Sequence, residues 1–90
     1  MEVRYSNNVA KKVKRHQFPE EIWVDFRDAF NAFALNRNMR LFDIKRLVTK
    51  GSYVYFRLRI RNYRAIFHMD EQAIYVEEIG SRGEIYNRWQ

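Results

Sequence analysis

The sequence predicts an α+β domain: two N-terminal helices packed on one face of a four- to five-stranded, mainly antiparallel sheet. Three observations carry that reading. Apolar residues recur at three- and four-residue spacing in the first forty positions. From residue 41 the period drops to two, as side chains alternate along a strand. Helical and extended segments are grouped rather than interleaved, which favours α+β over alternating α/β.

Val3 and Tyr5 suit a short opening strand. Ser6 is placed to cap a helix, because its hydroxyl can accept from a free backbone N–H. Val9, Ala10 and Val13 then set a helix over residues 7–16, with Lys11, Lys12, Lys14 and Arg15 on its other face. Pro19 fits a first helical position, and Glu20 and Glu21 complement the positive helix end. Ile22, Phe26, Ala29, Phe30 and Phe33 mark an amphipathic helix over 19–36. His16 reads as dipole chemistry at the end of the first helix.

Phe42-Asp43-Ile44 begins a strand over about 41–48, and Thr49-Lys50-Gly51-Ser52 is turn chemistry. Strands follow over 53–60, 63–69 and 73–79, with a turn at 70–72 and a bend or bulge allowed at Gly80. The tail from Glu84 to Gln90 is expected to pair briefly or fray. No repeat, linker or low-complexity stretch divides residues 1–90, so they form a single domain.

The 90 residues are 47% hydrophobic and 17% aromatic, enough for a small core. The absence of cysteine points to a reducing cytoplasm. No run is long and apolar enough to serve as a signal peptide or to cross a membrane. With no cysteine and two distant histidines, neither a metal site nor a cofactor is expected, and no glycine-rich phosphate loop or nucleophile elbow occurs. Net charge is +6, and twelve of seventeen cations are arginine. The charge is focused: residues 1–16 carry +4 and residues 37–64 carry +8, while 17–36 and 65–90 each carry −3. Such clustering is the footprint of a polyanion, and arginine suits forked phosphate contacts.

The hairpin around Arg61-Asn62 is the most informative element. A two-residue loop, with Asn62 tolerating positive φ, sets Ile60 against Tyr63, Leu58 against Ala65, Phe56 against Phe67 and Val54 against Met69 on one face. Arg59 then faces Arg64, Arg57 faces Ile66 and Tyr55 faces His68 on the other. Like charges directly opposite each other cost stability unless an anion bridges them. Phosphate is one such anion. Glu77 or Glu78 on the next strand is the internal alternative.

Phe42 to Leu47, Phe56 to Phe67 with its Leu58-Arg59 and Tyr63-Arg64 pairs, and Ile79 to Tyr86 with Gly80, Arg82 and Tyr86 resemble the RelE/ParE toxin superfamily over nearly the whole chain. The resemblance implies the toxin of a type II toxin–antitoxin system, partnered by an antitoxin protein. Its RelE branch implies a ribosome-dependent, metal-free mRNA endonuclease acting in the ribosomal A site, so that mRNA and ribosomal RNA are partners. There the 2′-hydroxyl attacks the adjacent phosphate. Its ParE branch implies a gyrase inhibitor instead, and Tyr86 favours the nuclease branch.

By the same resemblance, Arg64 steadies the scissile phosphate, Arg82 lies near the leaving oxygen, and Tyr86 orients or activates the 2′-hydroxyl. Arg57 and Tyr55 stand where the family has lysines. Arginine holds its proton too tightly for acid–base work, and tyrosine would need a strongly lowered pKa. A catalytically impaired member is therefore the alternative.

Among residues able to move protons, His68, Glu77, Glu78 and Glu84 are candidates on chemistry alone. His68 is more readily read as a surface strand residue without a role, and Tyr86 equally as an anchor for the tail. Arg59, Tyr55, His68, Lys45 and Arg46 are the further expected RNA contacts around the catalytic group of Arg57, Arg64, Arg82 and Tyr86, in which Arg57 is expected to supply positive charge to the phosphorane. Lys11, Lys12, Lys14 and Arg15 are either a solvated face or a second, salt-dependent RNA contact.

Overall fold

The computed structural model describes residues 1–47, 51 and 54–89. The elements run β1 (Glu2–Tyr5), α1 (Asn7–Lys14), α2 (Glu20–Asn36), a 3₁₀ turn (Met39–Leu41), β2 (Ile44–Arg46), β3 (Phe56–Ile60), β4 (Tyr63–Met69), β5 (Ala73–Ser81) and α3 (Arg82–Trp89). They form one five-stranded sheet in the order β1-β5-β4-β3-β2. The β2–β3, β3–β4 and β4–β5 pairs are antiparallel, whereas β1 lies parallel to β5.

The Ser6 side chain accepts from Val9 N and its hydroxyl donates to the Glu77 carbonyl, so one residue both starts α1 and ties it to the sheet. The second helix ends where Arg37 turns left-handed (φ 55°) and its N–H donates to Phe33 O. The apolar stripes of α1 and α2 pack on the face of the sheet formed by Leu58, Ala65, Phe67, Ile74, Val76 and Ile79. Phe67 sits at the centre, edge-on to Phe30 (5.3 Å) and Phe33 (6.1 Å) and stacked with Phe56 (5.5 Å). Burial of a few such aromatic side chains dominates the stability of a small domain.

Several expectations are corrected. Among the described residues, the strand expected over 41–48 is confined to Ile44–Arg46, because Asn38 caps a 3₁₀ turn by accepting from Arg40 N and the chain reaches the sheet only afterwards. Val54 is not part of the strand: β3 begins at Phe56, and Val54 is exposed. Val48, Thr49, Lys50, Ser52 and Tyr53, expected at the end of one strand, in a turn and at the start of the next strand, lie outside the described residues. In the hairpin loop the positive φ falls on Arg61 (53°) rather than Asn62. Arg61 is held there by an ion pair with Asp25 of α2.

The bulge lies at Glu77, not Gly80. Ile66 pairs with Glu78 but Phe67 pairs with Val76, leaving one extra residue on β5. That insertion lets Val76 and Ile79, three positions apart, both face the helices while Glu78 faces the opposite side.

Among the described residues the tail neither pairs nor frays: Arg82–Trp89 form the helix α3, and Gln90 lies outside the described residues. Ser81 Oγ accepts from Glu84 N (3.3 Å), and Glu84 Oε1 accepts from Ser81 N (3.1 Å). This is a reciprocal capping box, spelled Ser81-Arg82-Gly83-Glu84. At Gly80 the helix meets the sheet at van der Waals distance: a Cβ there would stand 3.4 Å from both Glu84 Cβ and Ile85 Cδ1.

Candidate nucleic-acid interface

The sheet face away from α1 and α2 is built by the register. Arg59 pairs with Arg64, Arg57 with Ile66 and Lys45 with Arg57. Helix α3 packs over β5 and β4 on this side, with its own Ile85 buried and Ile66 of β4 buried beneath it. What stays open is a cleft of about 280 Å³ between α3 and the β2 edge. Lys45, Arg57, Arg59, Arg64, Arg82 and Tyr86 line it, with Leu47, Ile66, Ile85 and Trp89 as its apolar parts.

The charges in the cleft are unevenly matched. Asp43, just before β2, accepts from Arg59 Nε and, at 3.5 Å, from Arg57 Nη2. The internal counterion of the cluster is therefore Asp43, not Glu77 or Glu78. Arg64 pairs with no carboxylate among the described residues. Its Nη1 donates to the carbonyls of Arg61 (3.1 Å) and Tyr63 (3.2 Å). Burial, followed by the charges of Arg57, Arg59 and Arg82, pulls the Arg64 pKa below the ordinary arginine value. A guanidinium held by two carbonyls among three other cations is a place where an added anion relieves repulsion.

The structure thus gathers Arg57, Arg59, Arg64, Arg82, Tyr86 and Lys45 into one cleft. Tyr86 is more than half exposed, so it is not the anchor of the tail; Ile85 is. Arg46 pairs with Phe56 and belongs to the opposite face. Tyr55 and His68 lie farther along the same face. Tyr55 packs edge-on to Trp89 (5.0 Å) and to His68 (5.5 Å). His68 stacks on Tyr75 (4.9 Å) and shares a hydrogen bond with Glu77 Oε1 (3.0 Å).

The basic face of α1 is split. Lys11, Lys14 and Arg15 are exposed. Lys12 turns inward, its Nζ donating to Glu78 Oε1 (3.2 Å) and to the Ile79 carbonyl (3.0 Å).

Glu78 is only 4% exposed and also accepts from Asn8 (3.0 Å), Arg88 (3.1 Å) and Trp89 Nε1 (3.4 Å). It clasps α1 and α3 to the sheet and does not line the cleft. Glu84 is occupied by the helix cap, whose hydrogen bonds hold its carboxyl below its ordinary value. None of Glu77, Glu78 and Glu84 lines the cleft as a base. The sequence reading missed α3 and with it the cleft wall. The Ser81–Glu84 box was the local signal for it.

A chain in the crystal structure of the RelB-RelE antitoxin-toxin complex from Methanococcus jannaschii superimposes with a TM-score of 0.72 over 97% of this chain and 99% of that one, at 22% identity. This is the RelE-like fold. The RelE-RelB complex from Pyrococcus horikoshii OT3 also matches, with a TM-score of 0.64 over 91% of this chain and 94% of that one, at 23% identity. The sequence matches no protein-family model and no curated protein. On the RelE-like fold the arginine cleft sits where α3 meets the exposed sheet face. No helix among the described residues is long and apolar enough to cross a membrane.

Proposed function

We propose that this chain is the toxin of a toxin–antitoxin pair and cleaves mRNA on the ribosome. The observation that carries the reading is the cleft itself: Arg57, Arg59, Arg64 and Arg82 converge with Tyr86, and Arg64 has no carboxylate partner among the described residues. Attack of a 2′-hydroxyl on the neighbouring phosphate builds negative charge on the phosphoryl oxygens. Fixed guanidinium groups stabilise that charge without reorganising. Arg64 steadies the phosphate from the floor, Arg82 adds charge from α3, and Tyr86 orients the attacking hydroxyl from the same helix. Arg59 and the exposed Lys11, Lys14 and Arg15 contribute phosphate contacts that weaken with salt. The antitoxin partner neutralises the toxin by covering this face, and the pair works in the cytoplasm.

One observation favours a second reading, a binder without nuclease activity such as a gyrase inhibitor. Tyr55, at a position where the resemblance expects a lysine, packs on Trp89 rather than lining the cleft. In vitro translation of a defined mRNA, with cuts mapped by primer extension, separates the two. Ribosome-dependent cuts within codons, lost in Arg64→Ala and Arg82→Ala, support the nuclease. Intact mRNA beside arrested growth supports the gyrase-type target.

A further inference from the structure

Cleavage of an RNA strand by its own 2′-hydroxyl leaves a 5′-alkoxide, which is too basic to depart without a proton. A group that can release one must therefore reach the leaving oxygen. The four arginines of the cleft offset charge but keep their protons. His68 stacks on Tyr75 away from the cleft, Glu78 is buried in its clasp, and Glu84 is taken up by the helix cap. Among the described residues, the proton-bearing side chains that remain in the lining are Lys45 and Tyr86.

They stand on opposite sides. Tyr86 projects from α3, which packs over β5 and β4, whereas Lys45 lies on β2 at the far edge of the sheet. Strand pairing sets Lys45 beside Arg57 on the cleft face. Lys45 is exposed and takes part in none of the ion pairs found among the described residues, while Asp43 two positions earlier is engaged by Arg57 and Arg59. An in-line displacement puts the entering and departing oxygens on opposite sides of phosphorus, so groups on opposite walls can each serve one of them.

We propose that Lys45 is the proton donor to the leaving 5′-oxygen, an assignment that rests on the nuclease reading. The 2′-oxygen bonds to phosphorus and its proton passes to water. The P–O5′ bond breaks with its electron pair on O5′, which takes a proton from the Lys45 ammonium. Solvent then reprotonates the amine. The products are a 2′,3′-cyclic phosphate and a 5′-hydroxyl.

The test is single-turnover cleavage by the full chain on ribosomes carrying a short mRNA with a mapped cut site. The scissile linkage holds either the ordinary 5′-oxygen or a bridging 5′-sulfur, which leaves as a thiolate and needs no proton. Lys45→Arg keeps the charge but not the transferable proton. It is expected to slow cleavage of the oxygen linkage by roughly 10²–10⁴-fold, to cut the sulfur linkage at close to the wild-type rate, and to bind the programmed ribosome as tightly as wild type. Lys45→Arg cutting the oxygen linkage at the wild-type rate would overturn the assignment. So would equal slowing on both linkages, which would make Lys45 a phosphate contact. If the wild-type protein cuts neither linkage, the nuclease reading itself fails, and the assignment falls with it.

Discussion

The two faces of the sheet are finished to different degrees. The helix-covered face meets its needs within the chain: Leu58, Ala65, Phe67, Ile74, Val76 and Ile79 are buried against α1 and α2. The opposite face is completed only over β5 and part of β4, where α3 covers Ile66 and Glu78 satisfies four donors. Toward β3 and β2 it keeps cations in excess of carboxylates. One face therefore serves stability, and the other holds a charge surplus for something the chain does not itself contain.

Substitutions on the two sides should separate these roles. Phe67→Ala should lower stability by about 3–5 kcal/mol, since a fully buried ring leaves a cavity. Urea unfolding reads that loss. Arg64→Ala should do the reverse. RNA cleavage in the translation assay should fall about 10²–10³-fold, as for loss of one charge-stabilising donor. Its unfolding midpoint should match or exceed wild type, because a repelled cation is gone. An Arg64→Ala protein that unfolds like Phe67→Ala would erase the distinction.

Glu78 sharpens the boundary between the faces. Glu78→Ala should cost about 3 kcal/mol, because Lys12 loses the buried carboxylate it is paired with. Thermal unfolding would show it. A negligible change would mean that the clasp does not hold α3.

The cap at the start of α3 adds a pH dependence. The folded Glu84 carboxyl lies below its ordinary value of 4.5, so the charged form is the stabilising one. That contribution is present above the unfolded pKa and is lost as pH falls through the folded one. The stability advantage of wild type over Glu84→Gln should therefore be largest near neutrality and should vanish in acid. Denaturation series across pH would read the difference.

The smallest effect is expected at Tyr5, on the helix side, whose hydroxyl is buried without a hydrogen-bond partner among the described residues and whose pKa burial pushes up to about 12. Tyr5→Phe removes that unsatisfied group. It should be neutral or stabilising by up to about 1 kcal/mol in chemical unfolding.

Both faces of the β3–β4 hairpin were legible because alternation along a strand forces the split once the loop length is known. Arg59 opposite Arg64 followed directly. The long helix was legible too, since Ile22, Phe26, Phe30 and Phe33 repeat at its period. The closing helix was harder to see: its apolar content is low, and its main signal is the short cap at Ser81 and Glu84.

By itself, the sequence determined the two N-terminal helices, the central strands, the apolar core and the face that carries the arginines, because each depends on local periodicity. Tertiary structure alone decided what those arginines meet. The bulge at Glu77 sends Glu78 under α3, Lys12 follows it inward, and Asp43 arrives from the β2 edge to take Arg57 and Arg59. Each of those pairings joins residues distant in the chain, and charge attraction has no sequence period by which to foresee it. Arg64 is left without a carboxylate among the described residues for the same reason: the acids that might have reached it are held elsewhere by the packing of α1, α3 and β2.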